Sequence, residues 1–177
     1  MHRNSWARIA LALSTLAAAG GIAMAAQDRS ALKVPDGLAL SEFKGYEAWQ
    51  DVAVSQTDAS LKVIAANPAM IAAYKSGLPA SGKSFPEGSK VVKIEWARKA
   101  NPVSPYAVQV PGDLKSLAFI LKDSKRFPKT HGWAYAVFDY DAKTKTFKPN
   151  GKGAECGYEC HSKVATDDYI YTHYPTR

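Results

Sequence analysis

The residues best suited to chemistry fall within one short segment, Cys156-Gly157-Tyr158-Glu159-Cys160-His161, which holds the chain's 2 cysteines. Covalent haem attachment needs two thiols to add across the two vinyl groups of the porphyrin. It also needs an imidazole just beyond the second thiol, able to reach the iron from the same side. The usual signature is C-x-x-C-H, and this segment is one residue longer, C-x-x-x-C-H. The extra residue can bulge out of the loop, and Gly157 makes an unusual backbone conformation there cheap. On this reading Cys156 and Cys160 anchor haem c and His161 ligates its iron.

Three other chemistries use the same residue types. A Cys156–Cys160 disulfide would close so short a loop that it restrains little of the unfolded chain. A zinc site would need a fourth ligand from far away in the sequence. A thiol-redox pair ordinarily has the spacing C-x-x-C. Further candidate ligands are few. His131 and His173 lie in a turn setting and near the end of the chain. Met70 carries a thioether but sits in an alanine-rich helical stretch that favours core packing. Phe119, Trp133, Tyr135 and Phe138 suit an apolar haem pocket and a plain sheet core equally well.

The chain is 177 residues long with a formal net charge of +7. It opens on Arg3 and Arg8, an apolar run from Ile9 to Ile22, and then Ala23-Met24-Ala25, the small-x-small pattern read by signal peptidase. The run is shorter than the roughly 20 residues that span a bilayer. Residues 1–25 are therefore expected to be a cleaved signal peptide that exports the rest to the periplasm; a retained anchor is the rival reading. Residues 26–40 are expected to form a loose arm and residues 41–177 one domain of ordinary size. The basic residues are scattered. The densest runs, Lys122–Arg126 and Lys143–Lys148, read as solvated turns. Such a surface suits an acidic redox partner or an anionic membrane surface, and lacks the basic stripe of a nucleic-acid binder.

The elements that must position the cysteine segment follow from periodicity. Ser41-Glu42 reads as a helix start, with Phe43, Tyr46 and Trp49 on one face. Leu61–Ala65 reads as a short strand. Asn67-Pro68 caps and opens a helix whose apolar face is Met70, Ile71 and Tyr74 and which Gly77 ends. Residues 78–88 are a Gly/Pro/Ser-rich loop. Ser89–Trp96 alternates as a strand, with Lys90, Val92, Ile94 and Trp96 on one face and Val91, Lys93 and Glu95 on the other. Pro102, Pro105 and Pro111-Gly112 break the following stretch. Leu117–Leu121 and Trp133–Phe138 are strands, Asp139–Lys145 is a hairpin turn leading to Phe147, and Pro149–Ala154 is a loop. The expected fold class is α+β, a mainly antiparallel sheet with a few flanking helices.

These pieces, in this order, resemble the cytochrome P-460 family, which includes the cytochromes c′-beta. The resemblance runs from about Tyr46 to the end of the chain. It rests on Tyr46-x-x-Trp49, on Asn67 with the alanine-rich helix after it, and on Phe85-Pro86-Glu87-Gly88-Ser89-Lys90-Val91-Val92-Lys93. It continues through Lys122-Asp123-Ser124-Lys125-Arg126-Phe127 and Gly132-Trp133-Ala134-Tyr135-Ala136-x-Phe138 to the cysteine segment and Asp168-Tyr169-Ile170-Tyr171. A branch of that family carries the longer C-x-x-x-C-H spacing. The resemblance implies one haem per chain, usually in a homodimer, with His161 as proximal ligand and an open distal side. It implies oxidation of hydroxylamine or nitric oxide, or binding of small gases. In the oxidising members a lysine is linked covalently to the porphyrin; the matching segment offers Lys93, with Lys90 second. The family's distal acid has no assigned position here, and Asp123 and Glu95 are set aside. Three functions stay open: an enzyme oxidising a small nitrogen compound, a gas-binding or electron-transfer haem protein, and a haem-free exported domain with a disulfide.

Overall fold

The computed structural model describes residues 27–177 apart from Asp36 and Ser81. The expected signal peptide lies outside the described residues. Among these residues no helix is long and apolar enough to cross a membrane. Six strands form one antiparallel sheet in chain order: β1 (Gln50–Gln56), β2 (Ser60–Ala66), β3 (Lys90–Ala100), β4 (Gln109–Lys122), β5 (Trp133–Asp141) and β6 (Thr146–Pro149). With helix α1 (Pro68–Lys75), helix α2 (Tyr158–His161) and several 3-10 turns, this is the expected α+β class. Every neighbouring pair is sequential, so no crossover is needed, and the long connection is that between β2 and β3, which carries α1.

The alternation along β3 divides the molecule into two layers. On one face Val92 lies in a closed core with Leu117, Phe119, Ala136 and Phe138. The other face carries cross-strand rows set by register. Ile64 pairs with Lys93, Lys93 with Ala118, and Ala118 with Val137. The adjacent row runs Ala66, Val91, Ile120, Tyr135. At one end of this face α1 closes a second core with Met70, Ile71, Tyr74, Phe85 and Trp133. The rest of the face stays open.

Helix α1 begins as the sequence dictates. The Asn67 side chain accepts from Met70 N–H at 3.1 Å and from Lys90 N–H at 3.0 Å, so one residue both caps the helix and ties it to β3. Met70, expected to be core, is fully buried.

Four expectations need correction. The segment after Ser41 forms two 3-10 turns, Leu40–Phe43 and Tyr46–Ala48, in place of a regular helix, and its capping acceptor is Glu42, which takes Ala39 N–H at 2.9 Å. Its aromatics still gather, because Phe43 stacks on Phe119 at 4.2 Å and Tyr46 meets Phe119 edge-on at 5.3 Å. The supposed loose arm is packed: Val34, Leu38 and Leu40 are buried in the first core. Pro111-Gly112 does not break β4. Pro111 pairs with Arg98 beside an irregularity in the ladder, where a missing N–H is tolerated. Lys122 is not part of a solvated turn; it is buried against Asp168.

Candidate functional site

The open sheet face is the floor of a cavity of about 640 Å³, a size in the range of cofactor pockets. Ile64, Val91, Lys93, Ala118, Ile120 and Tyr135 face it from the sheet, and Cys156, Cys160 and His161 line its wall beside Tyr135. Residues far apart in sequence thus meet at one place.

The wall is fixed from behind. The Ala154 carbonyl accepts from Tyr135 N–H at 2.7 Å, which ties the chain to β5 two residues before Cys156. Gly37 of the packed N-terminal segment lies so close that an added Cβ would stand 2.3 Å from Ala154 Cβ. The chain then turns into α2, with His161 N–H donating to Gly157 C=O at 3.0 Å. Cys156 stands in the turn just before α2 and Cys160 within it, and both line the cavity. Gly157 itself has φ −79° and ψ −17°, ordinary helical values. Its role is closeness, because a Cβ there would lie 2.4 Å from the Tyr135 ring. This replaces the expectation that glycine supplies an unusual conformation.

Both thiols are free and exposed. The His161 ring is half-buried between Tyr135, at 4.8 Å between ring centroids, and Tyr171, at 5.1 Å. Its Nδ1 lies 2.6 Å from the Tyr169 carbonyl oxygen. A carbonyl only accepts, so Nδ1 carries the proton and Nε2 keeps its lone pair. Among the described residues no hydrogen bond occupies Nε2. Burial lowers the His161 pKa, the Tyr169 carbonyl works against that, and the Lys93 charge adds to the lowering. The net effect favours the neutral ring, the form that ligates a metal. Burial also pushes the Tyr135 hydroxyl above its ordinary value, with Tyr158, Tyr169 and Asp168 adding to the shift.

The structure separates the two lysines of β3. Lys93 reaches the cavity. Lys90 lies on the opposite face, where its Nζ donates to the Glu42 carbonyl at 2.6 Å and stands 5.7 Å from the centre of the Phe43 ring. Lys90 therefore cannot act on a group in the cavity, and Lys93 is the only one of the two with access to it.

The remaining candidates disperse. Phe119 and Phe138 belong to the closed core, Trp133 to the second core, and Tyr135 alone of that set stands against His161. His131 stacks on Tyr169 at 5.1 Å and Tyr158 at 6.0 Å, facing away into a second hollow. His173 borders the cavity, but its side chain is 64% exposed and pairs with Asp167 at 3.6 Å. Among the described residues no group of three or more His, Cys, Asp or Glu could hold a metal ion, so the zinc reading finds no further ligands. Missed from sequence were Tyr169 and Ala154, which act through their carbonyls and so carry no signal in their side-chain types, and Gly37, whose closeness to Ala154 only the fold reveals.

Two free thiols, a neutral imidazole with one nitrogen free, and an apolar floor form a donor set that fits a c-type haem. The protein class that such a sheet and site define is that of a cytochrome. The family model for cytochrome P460 matches residues 43–172, and the chain belongs to that family, whose members bind haem and its iron. No curated protein matches the chain.

Proposed function

We propose that this protein is a periplasmic mono-haem c-type cytochrome that oxidises or binds small nitrogen compounds, hydroxylamine or nitric oxide, at an open distal site. One observation carries the reading: Cys156, Cys160, His161 and Lys93 converge on a single apolar-floored cavity. Cys156 and Cys160 would hold the haem through thioethers, and His161 Nε2 would be the proximal ligand. The bound haem supplies an iron that takes up the small ligand and passes electrons.

The chain's own residues do the rest. Tyr169 holds the imidazole by its Nδ1 proton and keeps Nε2 turned to its task. Ile64, Val91, Ala118 and Ile120 exclude water from the floor. Lys62 and Lys152 line the same cavity and offer positive charge to the two carboxylates that a haem carries. Lys93 is the residue for a covalent link to the porphyrin ring. The low supply of spare ligands supports an open distal position, since Met70 is buried core and His131 faces elsewhere. Export by residues 1–25, a homodimer and an acidic redox partner complete the proposal.

Resonance Raman and electron paramagnetic resonance of the resting protein test it. We expect a high-spin iron, five-coordinate or holding only water, that takes nitric oxide without losing a protein ligand. A clean low-spin signal from two strong protein ligands would leave an electron carrier in place of an enzyme. The pyridine haemochrome spectrum then reads the lysine link. An ordinary haem c spectrum, unchanged by Lys93→Ala, would mean a gas-binding protein with no crosslink.

A further inference from the structure

Opposite the cavity, behind His161, the backbone takes a strained path. Asp168 has φ +49° and Tyr169 φ +64°, two consecutive residues with side chains in the left-handed region. Such conformations persist only where the surroundings over-determine them. Three backbone bonds hold this turn, among them Asp168 N–H to Ala165 C=O at 3.1 Å and Tyr169 N–H to Val164 C=O at 3.0 Å. The Tyr169 ring packs on His131 and Tyr158, and the Asp168 side chain supplies the polar hold. Its carboxylate accepts from Phe85 N–H at 2.8 Å and from Lys122 Nζ at 3.1 and 3.2 Å. The side chains of both members are almost fully buried, at 5% and 7% exposure. Lys122 Nζ also donates to the His131 carbonyl at 3.0 Å and lies 4.7 Å from the centre of the Trp133 ring.

Replacing a buried pair of this kind by apolar residues is often neutral for stability, so what the pair constrains matters more than what it adds. The geometry fixed here is that of the Tyr169 carbonyl, the oxygen 2.6 Å from His161 Nδ1. We infer that Lys122 and Asp168 are positioning residues for His161: they lock the Asp168–Tyr169 turn and so set the orientation and electron donation of the imidazole. The inference rests on His161 being the iron ligand. The physical logic is that of metal-bound histidines in general, whose second nitrogen donates to an oxygen that fixes the ring and raises its basicity. Here that oxygen is a main-chain carbonyl, and its own position depends on a charge pair formed across 46 residues of sequence.

The test uses the haem-loaded protein and the variants Asp168→Asn and Lys122→Met, with His161→Ala as reference. The readouts are the ferrous iron–histidine stretch in resonance Raman and the reduction potential, neither of which a merely structural role would move. Loss of the lock loosens the Nδ1–H bond, so the imidazole donates less. The stretch should fall in frequency and broaden, and the potential should rise, in both variants. Lys122→Gln keeps a donor toward Asp168 and serves if the other variants do not fold; its shift should have the same sign and be smaller. A stretch and potential unchanged in a folded variant overturn the inference while leaving His161 as ligand. An unchanged spectrum in His161→Ala overturns the ligand reading beneath it.

Discussion

The two faces of one sheet have opposite uses. On the first, Val92, Leu117, Phe119 and Phe138 are sealed by the N-terminal segment and by Phe43. On the second, the neighbouring residues Val91, Lys93, Ala118 and Ile120 look into a cavity that the cysteine segment also lines. Strand alternation makes the difference, because successive side chains of one strand must point to opposite sides. The two lysines of β3 show its consequence. Lys90 is spent on the first face as a hydrogen-bond donor to the Glu42 carbonyl, and Lys93 on the second lines the cavity. A lysine three places away in sequence is on the other side of the molecule.

The comparison breaks first at its aromatic centre. Phe119→Ala removes a fully buried ring from the sealed face and should cost about 3–5 kcal/mol. Ile120→Ala, the next residue but on the cavity face, leaves no closed void and should cost roughly 1–2 kcal/mol. Denaturant unfolding of the two variants measures both. Equal losses would mean that the cavity face is as closed as the core.

Gly157→Ala sharpens the second face alone. Its Cβ would meet the Tyr135 ring at 2.4 Å, so α2 must shift away from the sheet. We expect a loss of about 1–3 kcal/mol, the usual range for overpacking. Haem incorporation should fall with it, read as haem absorbance per mole of protein. Tyr135→Ala removes the ring that Cβ would strike, so the double variant should lose less than the sum of the two single losses. A smaller effect is expected from the lysines. Lys90→Met should cost about 1 kcal/mol through its lost bond to Glu42, while Lys93→Met should leave stability nearly unchanged and alter the haem spectrum.

The smallest effect lies at the rim of the sealed face. Burial opposes the Glu42 charge, but the hydrogen bonds from Arg126 and from Ala39 N–H outweigh it and hold the carboxyl below its ordinary value. Arg126 Nη1 stands 2.6 Å from Glu42 Oε2. A depressed folded pKa gives stability that is present above the unfolded value, about 4.3, and is lost as the pH falls through the folded one. Glu42→Gln should therefore lose about 0.2–1 kcal/mol at pH 7. Below the folded pKa the difference from wild type should vanish. A difference that persists there would assign the effect to packing.

Much of this was legible in the residues. Alternation in Ser89–Trp96 separated Lys90 from Lys93, Asn67-Pro68 marked a helix start, and the cysteine spacing announced the site. What sequence hid was non-local. Lys122 sits in a run of charged residues and is buried only because Asp168 folds back onto it from 46 positions away. The segment before Ser41 looked polar on average, yet its apolar residues Val34, Leu38 and Leu40 are buried in the core. β1 carries too few apolar residues to betray itself, and is held in the sheet by its ladder with β2. Tyr169 matters through its carbonyl, which every residue possesses.

The central claim is that haem is held covalently by Cys156 and Cys160 in the cavity on the second face. The intact mass of the mature protein, made with haem-maturation factors and stripped of free haem by acid, tests it most directly. We predict the mass of the polypeptide plus one haem, with attachment halved or abolished in Cys160→Ala. A chain with no haem and two hydrogens fewer, the mark of a Cys156–Cys160 disulfide, would contradict it.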